Sequence, residues 1–338
     1  MVLINYRVGL LIAFSIIAFA TCVNAQKPRT DKYNFRKADS VAALYPNHSL
    51  QNLPALARKL TGSLTTEQEK FRSIYSWISQ NIGNDYEFYT RNKKKREKLD
   101  DNPEALKEWN EKFRTRVFTK LLKEHKTVCT GYAYLMRELS YHAGLTAVIV
   151  DGYGRTSQSN IGGKGYANHS WNAIQIDGEW YLCDATWSSG ALNLQERTFV
   201  KKFDDVYFMA DPSLFVFNHF PLDSSWMLLE DKPTLDQFLN GPLVYSGVHR
   251  YHVQPKSPAT FEVAASKDQM VLFRISKNNE ENGNRITLQV NGSVVTPKVS
   301  IDEEGFQCIE HVFHSRGKHT VHVLCDDDYV LSYSVSVR

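Results

Sequence analysis

An α+β domain followed by an all-β sandwich is the fold class this sequence predicts. Up to Gly144 its apolar residues recur mostly at helical spacing, whereas from Leu145 to Trp187 they fall into short strand-like runs. Beyond Gly241-Pro242 the character changes again, and from Tyr251 onward the runs are short and alternating. These are Ala259–Val263, Met270–Ile275, Arg285–Val290, Phe306–Phe313, His319–Leu324 and Tyr329–Val337, with turn clusters at Asn291-Gly292, Gly283 and Gly305. That is the pattern of a sandwich of about seven strands. The chain of 338 residues suffices for two cores, and 42% hydrophobic with 23% charged residues is a folded composition. A formal charge of +3 is too small to argue for nucleic acid or an anionic membrane surface.

Residues 1–25 read as a signal peptide. Arg7 is a positive n-region, Val8 to Ala20 an apolar run of 13, and Val23-Asn24-Ala25 a small-residue cleavage site before Gln26. The run is shorter than the roughly 20 residues of a spanning helix. The expectation is a secreted or periplasmic protein with no transmembrane span. Cys22 raises the alternative of a lipid anchor, for which Phe19-Ala20-Thr21 is a poor processing site.

Residues 26–60, with Pro46 and Pro54 as breaks, read as a loosely structured lead-in to a domain over 61–240; the sandwich takes 241–338. Thr65-Thr66-Glu67 is a helix cap, followed by apolar residues at 71, 74, 75 and 78 on one face. The basic run 91–98 reads as a solvated loop or helix face. Glu104 to Lys123 predicts a helix with Leu106, Trp109, Phe113, Val117 and Leu121 along one side. A further helix starts at Cys129, with Tyr132, Leu135, Met136, Leu139 and Ala143 on one face and Gly144 as its stop. Leu145 to Asp151 fits a buried strand, and Gly152 to Gly165 a surface loop.

Asp177-Gly178 between two strand runs signals a hairpin. With those two residues as the turn, residue i pairs with residue 355 − i, so Asp184 faces Trp171 and His169 faces Thr186. His169 and Asp184 are then diagonal neighbours on one face, roughly 7–8 Å apart in backbone. A helix-start cysteine, Cys129, completes a nucleophile, base and orienting carboxylate. The helix dipole and a neighbouring imidazolium would favour its thiolate, and backbone N–H groups near it could hold an oxyanion. Cys183 points to the other face by strand alternation and reads as core. Cys308 and Cys325 allow either a bridge about the turn Ser315-Arg316-Gly317 or two buried thiols. The histidines at 252, 311, 314, 319 and 322 read as surface or structural residues.

Three motifs carry a family resemblance: Cys129-Thr130-Gly131-Tyr132-Ala133, His169-Ser170-Trp171-Asn172, and Trp180-Tyr181-Leu182-Cys183-Asp184-Ala185-Thr186-Trp187. Over about residues 65–230 the chain resembles the transglutaminase-like superfamily, and its bacterial secreted branch akin to the kyphoscoliosis peptidase. The resemblance implies a papain-like core, in which a cysteine-bearing helix packs on an antiparallel sheet. It also implies Cys129 as nucleophile, His169 as base and Asp184 as its partner. Ser170, Ala185 and Asn84 depart from residues common at those places without removing a reacting group.

The implied chemistry is acyl transfer through a thioester on Cys129, from a peptide or protein amide, with hydrolysis favoured over crosslinking. Trp77 and Trp171 are candidate substrate-binding residues. A non-catalytic scaffold using the groove and sandwich is the contrasting class. No metal or organic cofactor is implied, since Cys-x-x-Cys and His-Glu-x-x-His spacings are absent.

Overall fold

The computed structural model describes residues 34–99, 101–193, 195–277 and 285–338. The expected signal segment and the turn at Gly283 lie outside the described residues. Helices α1 (Arg36–Ala43), α2 (Leu53–Thr61) and α3 (Glu67–Asn81) open the fold. A short strand β1 (Gly83–Asn84) precedes α4 (Tyr86–Lys98) and α5 (Pro103–Glu124), and β2 (Lys126–Thr127) leads into α6 (Cys129–His142).

Strands β3 (Thr146–Gly154), β4 (His169–Ile176) and β5 (Glu179–Cys183) follow, then α7 (Ala185–Ser189), β6 (Gly190–Asn193), β7 (Thr198–Lys201), α8 (Pro212–Phe215) and β8 (His219–Pro221). The four strands of the central sheet run in the order β5-β4-β3-β8, all antiparallel. This α+β core and the strand-rich region beyond it agree with the fold class expected from sequence.

Local chemistry explains the element ends. Thr66 and Glu69 form a reciprocal capping box on α3. Asn52 and Asn102 cap α2 and α5, each with proline in the first turn. Asp177 and Gly178 have φ of 50° and 86°, the positive values a two-residue hairpin turn requires. The ladder then runs Ile176↔Glu179 through Asn172↔Cys183 in the register expected from the turn, but stops there: Asp184 caps α7 and Thr186 lies within it, so the expected pairs with Trp171 and His169 are not part of the ladder.

The sheet separates two cores. On one face Ile174, Ile176 and Cys183 pack with Phe71, Ile74 and Ile78 of α3 and Leu135, Met136 and Leu139 of α6. On the other, Val150, Trp171, Ala173 and Leu182 pack with Tyr207 and Phe215. Each fully buried Val, Leu, Ile, Phe or Met among them contributes roughly 1.5–3 kcal/mol.

The lead-in differs from expectation. Leu56, Ala57 and Leu60 of α2 are fully buried in the first core, so this segment is part of the domain. Pro54 stands in the first turn of α2, where its missing N–H costs nothing, so the residue read as a break is a helix start.

Toward the C-terminus α9 (Leu235–Asn240), β9 (Leu243–Val244) and α10 (Gly247–Arg250) lead into strands β10 (Val253–Ser257), β11 (Glu262–Ala265), β12 (Met270–Lys277), β13 (Ile286–Val290), β14 (Ser293–Val295), β15 (Lys298–Ile301), β16 (Gln307–Val312), β17 (Gly317–Cys325) and β18 (Asp328–Val337). One sheet has the order β10-β12-β16-β15, the other β11-β18-β17-β13-β14 with β9 also on β18. Phe273, Ile275, Ile309, Val321, Val323 and Tyr333 fill the space between them. The short strands β14 and β15 enlarge the sandwich beyond the strand count expected.

Cys308 and Cys325 fall on β16 and β17, which belong to different sheets. The turn at 315–317 crosses between sheets and closes no hairpin. Cys308 is a free thiol whose Sγ donates to Asp302 Oδ2 at 3.4 Å. Among the described residues no helix is long and apolar enough to cross a membrane.

Candidate active site

Cys129 owes its position to tight packing at the start of α6. The parallel pair β1–β2 holds the chain just before it, with Asp85 N donating to Thr127 O at 2.7 Å. A Cβ on Gly131 would lie 1.9 Å from Thr127 Oγ1, so only glycine lets the first turn sit against β2. Tyr132 Oη donates to Ile82 O at 2.9 Å, and Asn172 Nδ2 donates to Ala133 O at 3.0 Å, tying the helix to the sheet. The N-cap residue Val128 supplies no side-chain cap, which leaves the positive end of the helix to other partners.

His169 is the first residue of β4 and lies over β3 at a point where a side chain would intrude. A Cβ on Gly154 would come within 2.8 Å of the His169 Cβ. Trp171 flanks the imidazole at 5.9 Å and Trp187 at 5.2 Å between ring centroids.

Asp184 follows β5 as the N-cap of α7. Its Oδ1 accepts from Thr186 N at 2.7 Å and Trp187 N at 3.2 Å. Its Oδ2 accepts from His169 Nε2 at 2.6 Å and from His219 Nε2 at 3.0 Å. With Nε2 on the carboxylate, Nδ1 is the ring nitrogen of His169 not turned to Asp184.

His219, first residue of β8, is the participant that sequence reasoning missed. It is buried, stacked on Phe215 at 3.8 Å between centroids, with Nδ1 2.6 Å from the Asn218 side-chain amide. The ligating atoms of His169, Asp184 and His219 lie within 4.8 Å of one another, a spacing a metal ion could use. Both imidazoles already direct Nε2 to one carboxylate oxygen, a matched set of hydrogen bonds that needs no ion for its satisfaction.

Burial shapes the charges. It would raise the Cys129 thiol, but the hydrogen bond and charge of His169 outweigh it, helped by the Ser170 backbone and the Arg96 charge, and the thiol falls below its usual range. Burial would lower His169, yet the charge and hydrogen bond of Asp184, with Cys129, carry it up to about 10. Asp184 would rise on burial alone, and the two imidazoles hold it well below the usual carboxylate range. Burial dominates at His219, drawn down to about 4 despite Asp184. The directions favour thiolate and imidazolium at Cys129–His169 beside a neutral His219.

Cys129 and His169 open onto a cleft of about 410 Å³. Trp187, Phe199 and Tyr207 supply apolar wall, and Val244, Tyr245 and Ser246 reach it from the segment after Gly241. The two tryptophans expected to bind substrate do not line it. Trp77 is fully buried, with Nε1 donating to Tyr45 O at 2.7 Å, so it is a core residue. Trp171, 1% exposed, packs behind the imidazoles of His169 and His219 and supports them. The basic run is also more than a solvated face: Lys93 and Arg96 of α4 line the cleft, as does Asn84 of β1.

Residues 54–185 match the family model for the Transglutaminase-like superfamily, a span holding Cys129, His169 and Asp184. Kyphoscoliosis peptidase of Homo sapiens is 31% identical over 212 residues, covering 62% of this chain and 29% of that protein. Hillarin of Drosophila melanogaster is 28% identical over 235 residues, covering 66% of this chain and 26% of that protein. The chain thus spans less than a third of either relative's length. A solved structure titled "Crystal structure of a TGase" aligns with a TM-score of 0.27 at 14% identity, covering 45% of this chain and 32% of that one.

Proposed function

We propose that the transglutaminase-like domain at residues 54–185 forms a thioester on Cys129 from a peptide or protein amide and hydrolyses it. The observation that carries this reading is His169, bonded through Nε2 to Asp184 at 2.6 Å and lining the same cleft wall as Cys129.

The chemistry follows from those contacts. The Cys129 thiolate attacks the amide carbon, and the carbonyl electrons move onto oxygen, where the N-terminal end of α6 favours the negative charge. On collapse the C–N bond breaks, and His169 imidazolium gives its proton to the departing amine. Water, deprotonated by the now neutral His169, attacks the thioester. A carboxylic acid leaves and the thiolate–imidazolium pair returns. Asp184 keeps the imidazole oriented and stabilises its charged form. His219 holds Asp184 in turn as a positioning residue.

The name of the relative kyphoscoliosis peptidase supports hydrolysis over crosslinking. The leader pattern at residues 1–25 supports a substrate outside the cytoplasm. The test is mass spectrometry of peptide libraries incubated with the protein, with and without an amine donor. The proposal expects cleavage products, or a one-dalton gain on side-chain amides, that vanish in Cys129→Ala. Amine incorporation without hydrolysis would reassign the outcome to crosslinking, and no covalent change of any kind would remove the enzyme reading.

A further inference from the structure

The cleft is charged on one side only. Lys93 and Arg96 reach it from α4 and Arg155 from just after β3, and no aspartate or glutamate is among its lining residues. Buried cations ordinarily meet a carboxylate, because an unpaired charge away from water is costly. Here they do not.

Arg155, 2% exposed, donates only to backbone carbonyls, from Nε to Asn160 O at 3.1 Å and from Nη1 to Pro242 O at 2.6 Å, with Nη2 on Gly241 O. A guanidinium has five N–H donors, so three bonds leave two. Arg96 Nε is buried with no hydrogen-bond partner, and among the described residues no carboxylate pairs with that guanidinium. Lys93 Nζ donates to Gln158 O at 3.0 Å, and Glu97 approaches it at 3.9 Å without lining the cleft. The result is fixed positive potential beside Cys129 with hydrogen-bond capacity unused.

We propose that the substrate carries a carboxylate that docks on Arg96 beside the amide presented to Cys129, which makes it an acidic peptide segment. This rests on the acyl-transfer reading for its chemistry, and on Arg96 and Arg155 for its specificity. The carboxylate belongs either to a Glu or Asp side chain or to a chain terminus. The two share one recognition chemistry, a guanidinium fork meeting two oxygens.

The test uses matched N-acetylated nonapeptides differing only in Glu or Gln at set positions, each made as the free acid and as the C-terminal amide. Turnover by the full chain is compared with that of Arg96→Gln and of Lys94→Gln, an equal charge change at an exposed position of the same helix. Binding of the same peptides, dye-labelled, to Cys129→Ala is followed by anisotropy at low and high salt. The proposal predicts a Glu-over-Gln or acid-over-amide preference of about tenfold or more in kcat/KM and in binding. The preference shrinks in Arg96→Gln and in high salt, and persists in Lys94→Gln. Whichever substitution carries it names the source of the carboxylate.

Turnover without preference, or a preference that Arg96→Gln leaves intact, overturns the inference and spares the enzyme reading. Preferential binding without turnover upholds the inference and sinks the enzyme reading. Absence of both binding and turnover overturns both.

Discussion

One cysteine lines the cleft and another lies in the core beside Asp184, and their surroundings drive them in opposite directions. At the start of α6, Cys129 is half-buried beside an imidazole, near Arg96, with the thiol lowered. At the end of β5, Cys183 is fully buried among Ile174, Leu135 and Met136, and burial with the charge of Asp184 pushes its thiol well above the usual range. The neighbour that sustains one thiolate through His169 suppresses the other directly. Charge at a thiol is decided by what lies between it and the carboxylate, since an imidazole relays Asp184 as a positive group.

The contrast breaks most sharply if Cys129 can be spared. Cys129→Ala should abolish acyl transfer, a loss of about 10³-fold or more in kcat/KM, read on any peptide the wild type turns over. Residual activity carried by Cys183 would invert the assignment. Next in size, His169→Ala should slow alkylation of Cys129 near neutral pH by about 10²-fold, as the thiolate loses its counter-ion.

A pH series sharpens the same contrast through stability. His219 is drawn down to about 4 and His249 to about 3 in the fold, so the unfolded chain binds protons near pH 6.5 that the folded chain refuses. Their contribution is fully present above about pH 6.5 and is lost as pH falls through about 4 and 3, on the order of 2 kcal/mol for each by pH 5. His169, carried up to about 10, contributes fully below about pH 6.5 and loses that contribution as pH climbs through 10. Melting temperature against pH should therefore decline on both sides of neutrality, and His219→Gln should flatten the acid side.

Smaller again is the effect of the carboxylate's second donor. His219→Leu should lower kcat/KM roughly tenfold and move the acid limb of the rate profile upward, as Asp184 holds His169 less firmly. His219→Gln, which restores an N–H donor, should recover most of it. A purely structural role would lower melting temperature without moving the limb. Least of all, Cys183→Ala should cost roughly 1–2 kcal/mol of stability as a small cavity forms and leave activity intact, read by melting and turnover together.

Much of this site was legible before any coordinates. The turn Asp177-Gly178 determines a register that holds as far as Asn172↔Cys183, Asp184 reaches His169 from the cap of α7 rather than from a strand pair, and Cys129 announces itself at a helix start. His219 was not legible. It arrives from β8, paired with β3 across a long sequence separation, and its neighbours Phe220-Pro221 signal only a break. Arg96 was hidden for a different reason: a run of charges shows that a helix is solvated, not which of its residues turn toward a cleft. Trp77 misled because an aromatic beside a motif and an aromatic in a core look alike, and only its bond to Tyr45 O decides. The lead-in helices were missed because Pro54 reads as a breaker until Asn52 is seen capping the turn that contains it.

The account stands or falls on charge at one sulfur. The direct measurement is the pH dependence of iodoacetamide alkylation, followed peptide by peptide at Cys129, Cys183 and Cys308. Fast labelling of Cys129 alone at pH 6–7, slowed when His169 is replaced by alanine, is the expected result. Labelling of Cys129 no faster than Cys308, rising only toward the pH of an ordinary thiol near 8.5, would contradict it.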